Sequence, residues 1–164
     1  TEQSAEDLDA VMNLNVRALW LTSRAAIPAL KRAATAAIVN MSSQMVHIRS
    51  PPRTLYCMSK HAVEGLTKAM ALELAEEGIR VNSVAPTFVM TEFTEPMMAD
   101  PKFKEFVMSM IPMRKLATLE EVANACIFLL SDLSASTTGS CLNCWPSRTS
   151  WSSPCRSRRT RTSS

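Results

Sequence analysis

Glycine is nearly absent from this chain. Only Gly65, Gly78 and Gly139 occur in 164 residues, about 2% against a usual ~7%, so few positions can take positive φ without steric cost. No two of the three lie close together, which excludes the glycine-rich loops G-x-x-x-x-G-K-[ST] and G-x-G-x-x-G whose backbone amides cradle phosphate. The chain carries no nucleotide cradle of its own. It also lacks any apolar run of the ~18 residues needed to cross a bilayer, and it lacks a basic N-terminal stretch followed by an apolar one. A soluble, cytoplasmic protein with no membrane partner is the expectation. Five Cys (57, 126, 141, 144, 155) are an odd number, and the pair Cys141-x-x-Cys144 has neither a second pair nor a nearby His. Reduced, incidental thiols are expected rather than a disulfide framework, a zinc site or any other metal site.

What is present is the composition of one globular domain, 46% hydrophobic and 20% charged. The absence of an initiator Met before Thr1, together with the glycine deficit, points to a missing front section. Net charge is +3, but the basic character sits in the tail: residues 145–164 hold five Arg (148, 156, 158, 159, 161) and no acid. This Ser/Arg-rich tail has no helical or strand periodicity and too little apolar surface to offset its ordering entropy, and is expected to be disordered. Two readings of it compete, an arm that neutralises nucleic-acid phosphates and a tail without selected function; the second is preferred, and no nucleic-acid partner is expected.

Residues 1–144 alternate helical and strand patterns. Ser4 and Asp7 form a capping box that opens a helix carrying Leu8, Val11, Met12 and Leu14. A second helix is expected over 16–31, kinked or ended near Pro28. Residues 36–42 and 79–85 are β-branched apolar runs without alternation, the pattern of strands buried on both faces. Between them the spacing of Ala62, Leu66, Ala69, Met70 and Leu74 predicts a helix over 55–76, stopped by Gly78. Thr118 and Glu121 form another capping box, for a helix ending near Asp132, and 140–142 is a short last strand. This rhythm is that of a parallel α/β sheet with right-handed crossovers.

The chemistry concentrates around the middle helix. Tyr56 and Lys60 are four residues apart, hence on one helical face, and Ser43 lies at the carboxyl end of a buried parallel strand, where open α/β sheets place ligands. A free phenol, with a pKa of ~10, is a poor base at neutral pH; a cation within ~4–6 Å lowers an acid's pKa by ~1–3 units. Tyr-x-x-x-Lys with a nearby Ser hydroxyl is therefore a sensible acid/base group for work on a carbonyl. Taken alone, the same spacing also describes a Tyr at a core edge beside a solvated Lys.

With Ile38-Val-Asn-Met-Ser-Ser43 before it and Arg80-Val-Asn-Ser-Val-Ala-Pro-Thr-Phe-Val-Met-Thr91 after it, Tyr56-x-x-x-Lys60 resembles the acid/base helix of the short-chain dehydrogenase/reductase family. The resemblance runs from about Ser4 to Leu142. It implies the C-terminal portion of a Rossmann-type, doubly wound parallel α/β sheet lacking its first strands, with 1–144 as a partial catalytic domain. It further implies an oxidoreductase that interconverts a ketone or aldehyde with an alcohol, using NADP or NAD. Carried over residue by residue, Tyr56 exchanges the proton, Ser43 polarises the carbonyl, Lys60 binds the nicotinamide ribose, Asn15 supports a relay water, and Pro86, Val89 and Thr91 border the nicotinamide. The substrate would touch Ser43 and Tyr56, and a homo-oligomer would form through helices 16–31 and 55–76. The Met-rich stretch 88–116 reads as a substrate lid.

The resemblance also has breaks. The family's glycine-rich turn, adenosine-ribose selector and Asn-Asn-Ala-Gly strand do not occur here, and Thr87 stands where Gly is common, although sugar and carbonyl reductases of the family tolerate Thr. After Leu142 the family pattern gives way to Cys-Trp-Pro-Ser-Arg, as a shifted frame or alternative splice would produce. The strand at 36–42 is expected to be an apolar edge. An inactive fragment, or a noncatalytic dimerising module, is the alternative reading.

Overall fold

The computed structural model describes residues 2–47, 53–111 and 113–144; the tail 145–164, with Cys155 and the five tail arginines, lies outside the described residues. Helix α1 (Ala5–Met12) begins with the expected capping box: Ser4 Oγ accepts from the Asp7 amide at 3.2 Å, and the Asp7 carboxylate accepts from the Ser4 amide at 3.0 Å. A π-helical turn over Asn13–Arg17 joins it to α2 (Ala18–Leu30). The two separate helices expected here are thus one rod with an inserted residue in its ladder, a form frequent at functional sites. Its end two residues after Pro28 fits a proline that has already removed one donor.

Strand β1 (Ala36–Met41), helix α3 (Thr54–Glu73) and strand β2 (Ile79–Pro86) follow. Helix α3 stops three residues before the expected Glu76. Leu74 leaves helical geometry, and a tight turn carries the chain through Gly78 at φ +71° into β2, its amide bonded to Ala75 O. Two short helices, α4 (Glu95–Met98) and α5 (Pro101–Met110), precede α6 (Leu119–Leu130), which opens on the Thr118–Glu121 capping box, and β3 (Cys141–Cys144) ends the described chain. Helix α6 ends two residues sooner, and β3 runs two residues further, than the sequence predicts.

The sheet is parallel throughout, in the order β1-β2-β3, with Ala36 opposite Ile79 and Ser83 opposite Cys141. Its period of two sorts side chains onto two helical layers. Ile38, Ile79 and Val81 pack with Met70 and Ala71 of α3, Leu74 just after it, and Ile27 and Leu30 of α2; Val39, Val84 and Leu142 pack with Val122 and Leu129 of α6. Among the described residues no strand covers the outer side of β1, so it is an edge, as expected. Polar threads tie α3 to the sheet: Asn40 Nδ2 donates to Thr67 Oγ1 at 2.8 Å and Ser83 Oγ donates to Glu64 Oε1 at 2.8 Å, all four residues buried. These bonds set the rotation of the helix that carries Tyr56 and Lys60.

The same alternation decides the fate of Cys141-x-x-Cys144. Three residues apart on a strand, the two thiols fall on opposite faces, Cys141 beside Ser83 and Glu64, Cys144 beside Cys126. Burial pushes the Cys141 thiol up to about 11. Among the described residues no group of His, Cys, Asp and Glu could hold a metal ion.

Candidate active site

Ser43 follows the carboxyl end of β1. It caps a single 3-10 turn, Gln44–Val46, by accepting the Met45 amide at 3.3 Å, and is itself buried. Tyr56 sits in the first turn of α3, facing the same opening, with Lys60 one turn on. The Lys60 ammonium donates to Met41 O at 2.9 Å and lies 5.6 Å from the centre of the Tyr56 ring. Its burial between α3 and the end of β1 holds its pKa below the usual lysine range, because the charged form loses hydration there.

The loop after β2 closes the opening. Thr94 Oγ1 donates to Val89 O at 2.6 Å and accepts the Thr91 amide at 2.9 Å, while across the loop the Met90 amide donates to Ala117 O and the Ala117 amide to Phe88 O, both at 3.1 Å. Thr87, at the position where the family often has Gly, is buried and donates to Gln44 Oε1 at 2.7 Å. That bond joins the turn after β1 to the loop after β2.

Two cavities of about 520 and 500 Å³ open on either side of a common wall. Ser43, Tyr56, Thr87, Val89 and Thr91 line both. The first is also lined by Gln44, Arg53, Phe88, Thr94 and Met97 among others, the second by Ser42, Lys60, Pro86, Val122 and Cys126 among others. Six of the seven expected site residues thus meet here. Asn15, the seventh, lines neither cavity. Its amide Nδ2, presented by the π-helical turn, donates to Ser59 Oγ at 3.0 Å, and Ser59 Oγ donates to Tyr56 O at 2.8 Å. It braces the first turns of α3 from behind.

Gln44, Arg53 and Thr94 belong to this site and were not singled out from the sequence. Thr91-x-x-Thr94 is a readable turn signal, but the approach of Gln44 to Thr87 spans 43 residues and has no local signature. Of the stretch 88–116 expected as a lid, the part from Phe88 to Met97 lines the first cavity. Of its six methionines only Met97 lines either of these cavities, while Met98, Val107 and Ile111 form a small core with Phe103, Leu116 and Phe88 behind the first cavity.

A family model described as enoyl-(acyl carrier protein) reductase matches residues 1–144. The chain is 42% identical over 142 residues to L-xylulose reductase of Homo sapiens, covering 86% of this chain and 58% of that protein. It is 40% identical over 140 residues to carbonyl reductase [NADPH] 2 of Sus scrofa, covering 85% and 57%. Among solved structures, a gluconate 5-dehydrogenase from Burkholderia cenocepacia J2315, in complex with NADP and tartrate, superposes with a TM-score of 0.82 at 26% identity, covering 87% of this chain and 56% of that one. The chain therefore spans under three fifths of the length of these relatives. No described helix is long and apolar enough to cross a membrane.

Proposed function

The chain belongs to the short-chain dehydrogenase/reductase family, and on that premise we propose that it supplies the acid/base half of an NAD(P)-dependent oxidoreductase interconverting a ketone or aldehyde with an alcohol. The observation that carries this reading is the shared wall: Ser43 and Tyr56 border both cavities at once. A carbonyl in the first cavity can hydrogen-bond to both hydroxyls while its carbon faces the second. The residues of the second cavity fit the nicotinamide end of a dinucleotide, with the Lys60 ammonium to hold ribose hydroxyls and Ser42 Oγ buried without a hydrogen-bond partner in the structure. When bound, the nicotinamide supplies or accepts the hydride.

Each protein group then has a stated task. Ser43 Oγ holds the carbonyl oxygen, Tyr56 Oη gives it a proton or takes one back, and Lys60 presents its positive charge to the phenol and the ribose. Val89, Thr91 and Pro86 shape the boundary. Asn15 positions α3 through Ser59, and its carbonyl oxygen supports a relay water. Residues 1–144, the extent of the family match, are the partial catalytic domain. A homo-oligomer through α2 and α3 is supported by exposed Trp20, Leu21 and Met58 on those helices, and a cytoplasmic location goes with this reading.

The test is Tyr56→Phe in the protein that contains this chain. Loss of the proton donor lowers kcat by ~10²–10⁴, with cofactor affinity within about twofold of the parent. Retained turnover would refute the assignment.

A further inference from the structure

Arg53 is the one charged residue that lines the first cavity among the described residues. Its guanidinium lies 5.7 Å from the centre of the Phe88 ring, held against the cavity wall by a cation–π contact. It makes no ion pair among the described residues, and the segments outside them, 48–52 and 145–164, contain no Asp or Glu. The acidic residues nearest the loop, Glu92 and Glu95, are exposed and line neither cavity.

The position is electrically unusual. Arg53 occupies the N-cap of α3, which makes no side-chain hydrogen bond to the helix, and no acidic residue stands in the first turn. A helix N-terminus carries partial positive charge and favours anions; here it meets a cation instead. Arg53 and the first turn of α3 border the same cavity, whose walls of Phe88, Met45 and Met97 offer an anion no other charged partner. Arg53 and Tyr56 are three residues apart at the start of α3, about 4.5 Å along its axis, and both line this cavity. An anionic group on Arg53 would therefore sit a few bonds from a carbonyl held by Tyr56 and Ser43.

We infer that the first cavity selects a ketone carrying a carboxylate a few carbons from the reacting carbonyl, and that Arg53 is the residue that recognises it. The planar guanidinium fork matches a carboxylate with two parallel hydrogen bonds. The inference rests on reading that cavity as the substrate side of the site.

The experiment uses a matched pair of ketones, levulinate (4-oxopentanoate) and its uncharged amide, with the full-length protein that contains this chain and NADPH or NADH. The parent is expected to prefer levulinate by tenfold or more in kcat/KM, mainly through KM. The preference falls to about onefold in Arg53→Gln and is kept in part by Arg53→Lys, and in the parent it shrinks between 0.05 and 0.5 M KCl. A parent that does not discriminate overturns the inference. So does an Arg53→Gln variant that keeps the parental ratio. If neither ketone turns over, thermal shifts with the same two compounds decide. A larger shift for levulinate that disappears in Arg53→Gln upholds the role of Arg53 and counts against the catalytic reading alone; equal shifts overturn the role of Arg53.

Discussion

Arg80 is the second residue of β2, yet its side chain closes the C-terminus of α6. Nη1 donates to Leu129 O at 2.7 Å and Ser134 Oγ at 2.9 Å; Nη2 donates to Ser131 O at 3.1 Å and reaches Leu130 O at 3.5 Å. The last carbonyls of any helix have no partner within it, and α6 has no basic residue in its own last turn. Arg80→Met keeps the aliphatic stem and removes the cap. The Leu129 and Ser131 carbonyls each lose a charge-assisted bond worth ~1.5–3 kcal/mol, and the helix loses a favourable C-terminal charge worth ~0.3–1 kcal/mol. Water reaches the more exposed side and replaces part of this, which places the loss at the lower end, about 3 kcal/mol by the same values. At ~2–4 °C per kcal/mol for a protein of this size, Tm falls by about 6–12 °C. Thermal and urea unfolding followed by circular dichroism measure the change, and Arg80→Lys, charged but without the fork, falls between the two. Hydrogen exchange localises it: the Ser131 and Ser134 amides, bonded to Ile127 O and Ser131 O, accelerate more than those in the first turn of α6. A loss below about 1 kcal/mol, or uniform acceleration, would show that Arg80 is not the cap argued here.

Two further outcomes follow from the site and the composition. Because burial lowers the folded-state pKa of Lys60, the unfolded chain binds that proton more tightly. Stability then rises with pH between the lowered value and the unfolded value of ~10.4. Lys60→Met should accordingly be more stable than the parent at pH 7 by urea unfolding, with the gap narrowing toward pH 10; a gap that widens contradicts the assigned burial cost. With no glycine-rich turn in its 164 residues, the chain alone is expected to bind neither NADPH nor NADH at micromolar Kd in isothermal titration. Micromolar binding of either would remove the argument that the isolated chain is inactive.

Much of the architecture was legible because it is written in short-range patterns. The capping boxes at Ser4 and Thr118 each need only four residues to satisfy the same backbone donors wherever they occur. The unbroken apolar runs at 36 and 79 read as parallel strands with helices on both faces, and both pack that way, β2 inside the described sheet and β1 at its edge. The boundaries were less legible, since they depend on the next contact along: α3 ends at Glu73 because the turn through Gly78 must deliver Ile79 into register with Ala36. The π-helical turn at Asn13–Arg17 had no sequence signal at all. The extra residue turns Asn15 inward to Ser59, a partner 44 positions away.

The amino-acid order by itself determined the Ser43, Tyr56 and Lys60 group, because spacing along one strand end and one helical face is enough to bring these side chains to a common opening. It also determined what the chain lacks, a glycine-rich cradle. Tertiary structure alone decided how that opening is divided. Closing the loop at Thr87 onto Gln44 splits it into two cavities with Ser43 and Tyr56 in the wall between them, and seats Arg53 in one and Lys60 in the other. The two cations are seven residues apart on the same stretch of chain. Only the packing of the loop after β2 against the turn after β1, a contact with no local pattern to announce it, assigns them to different cavities.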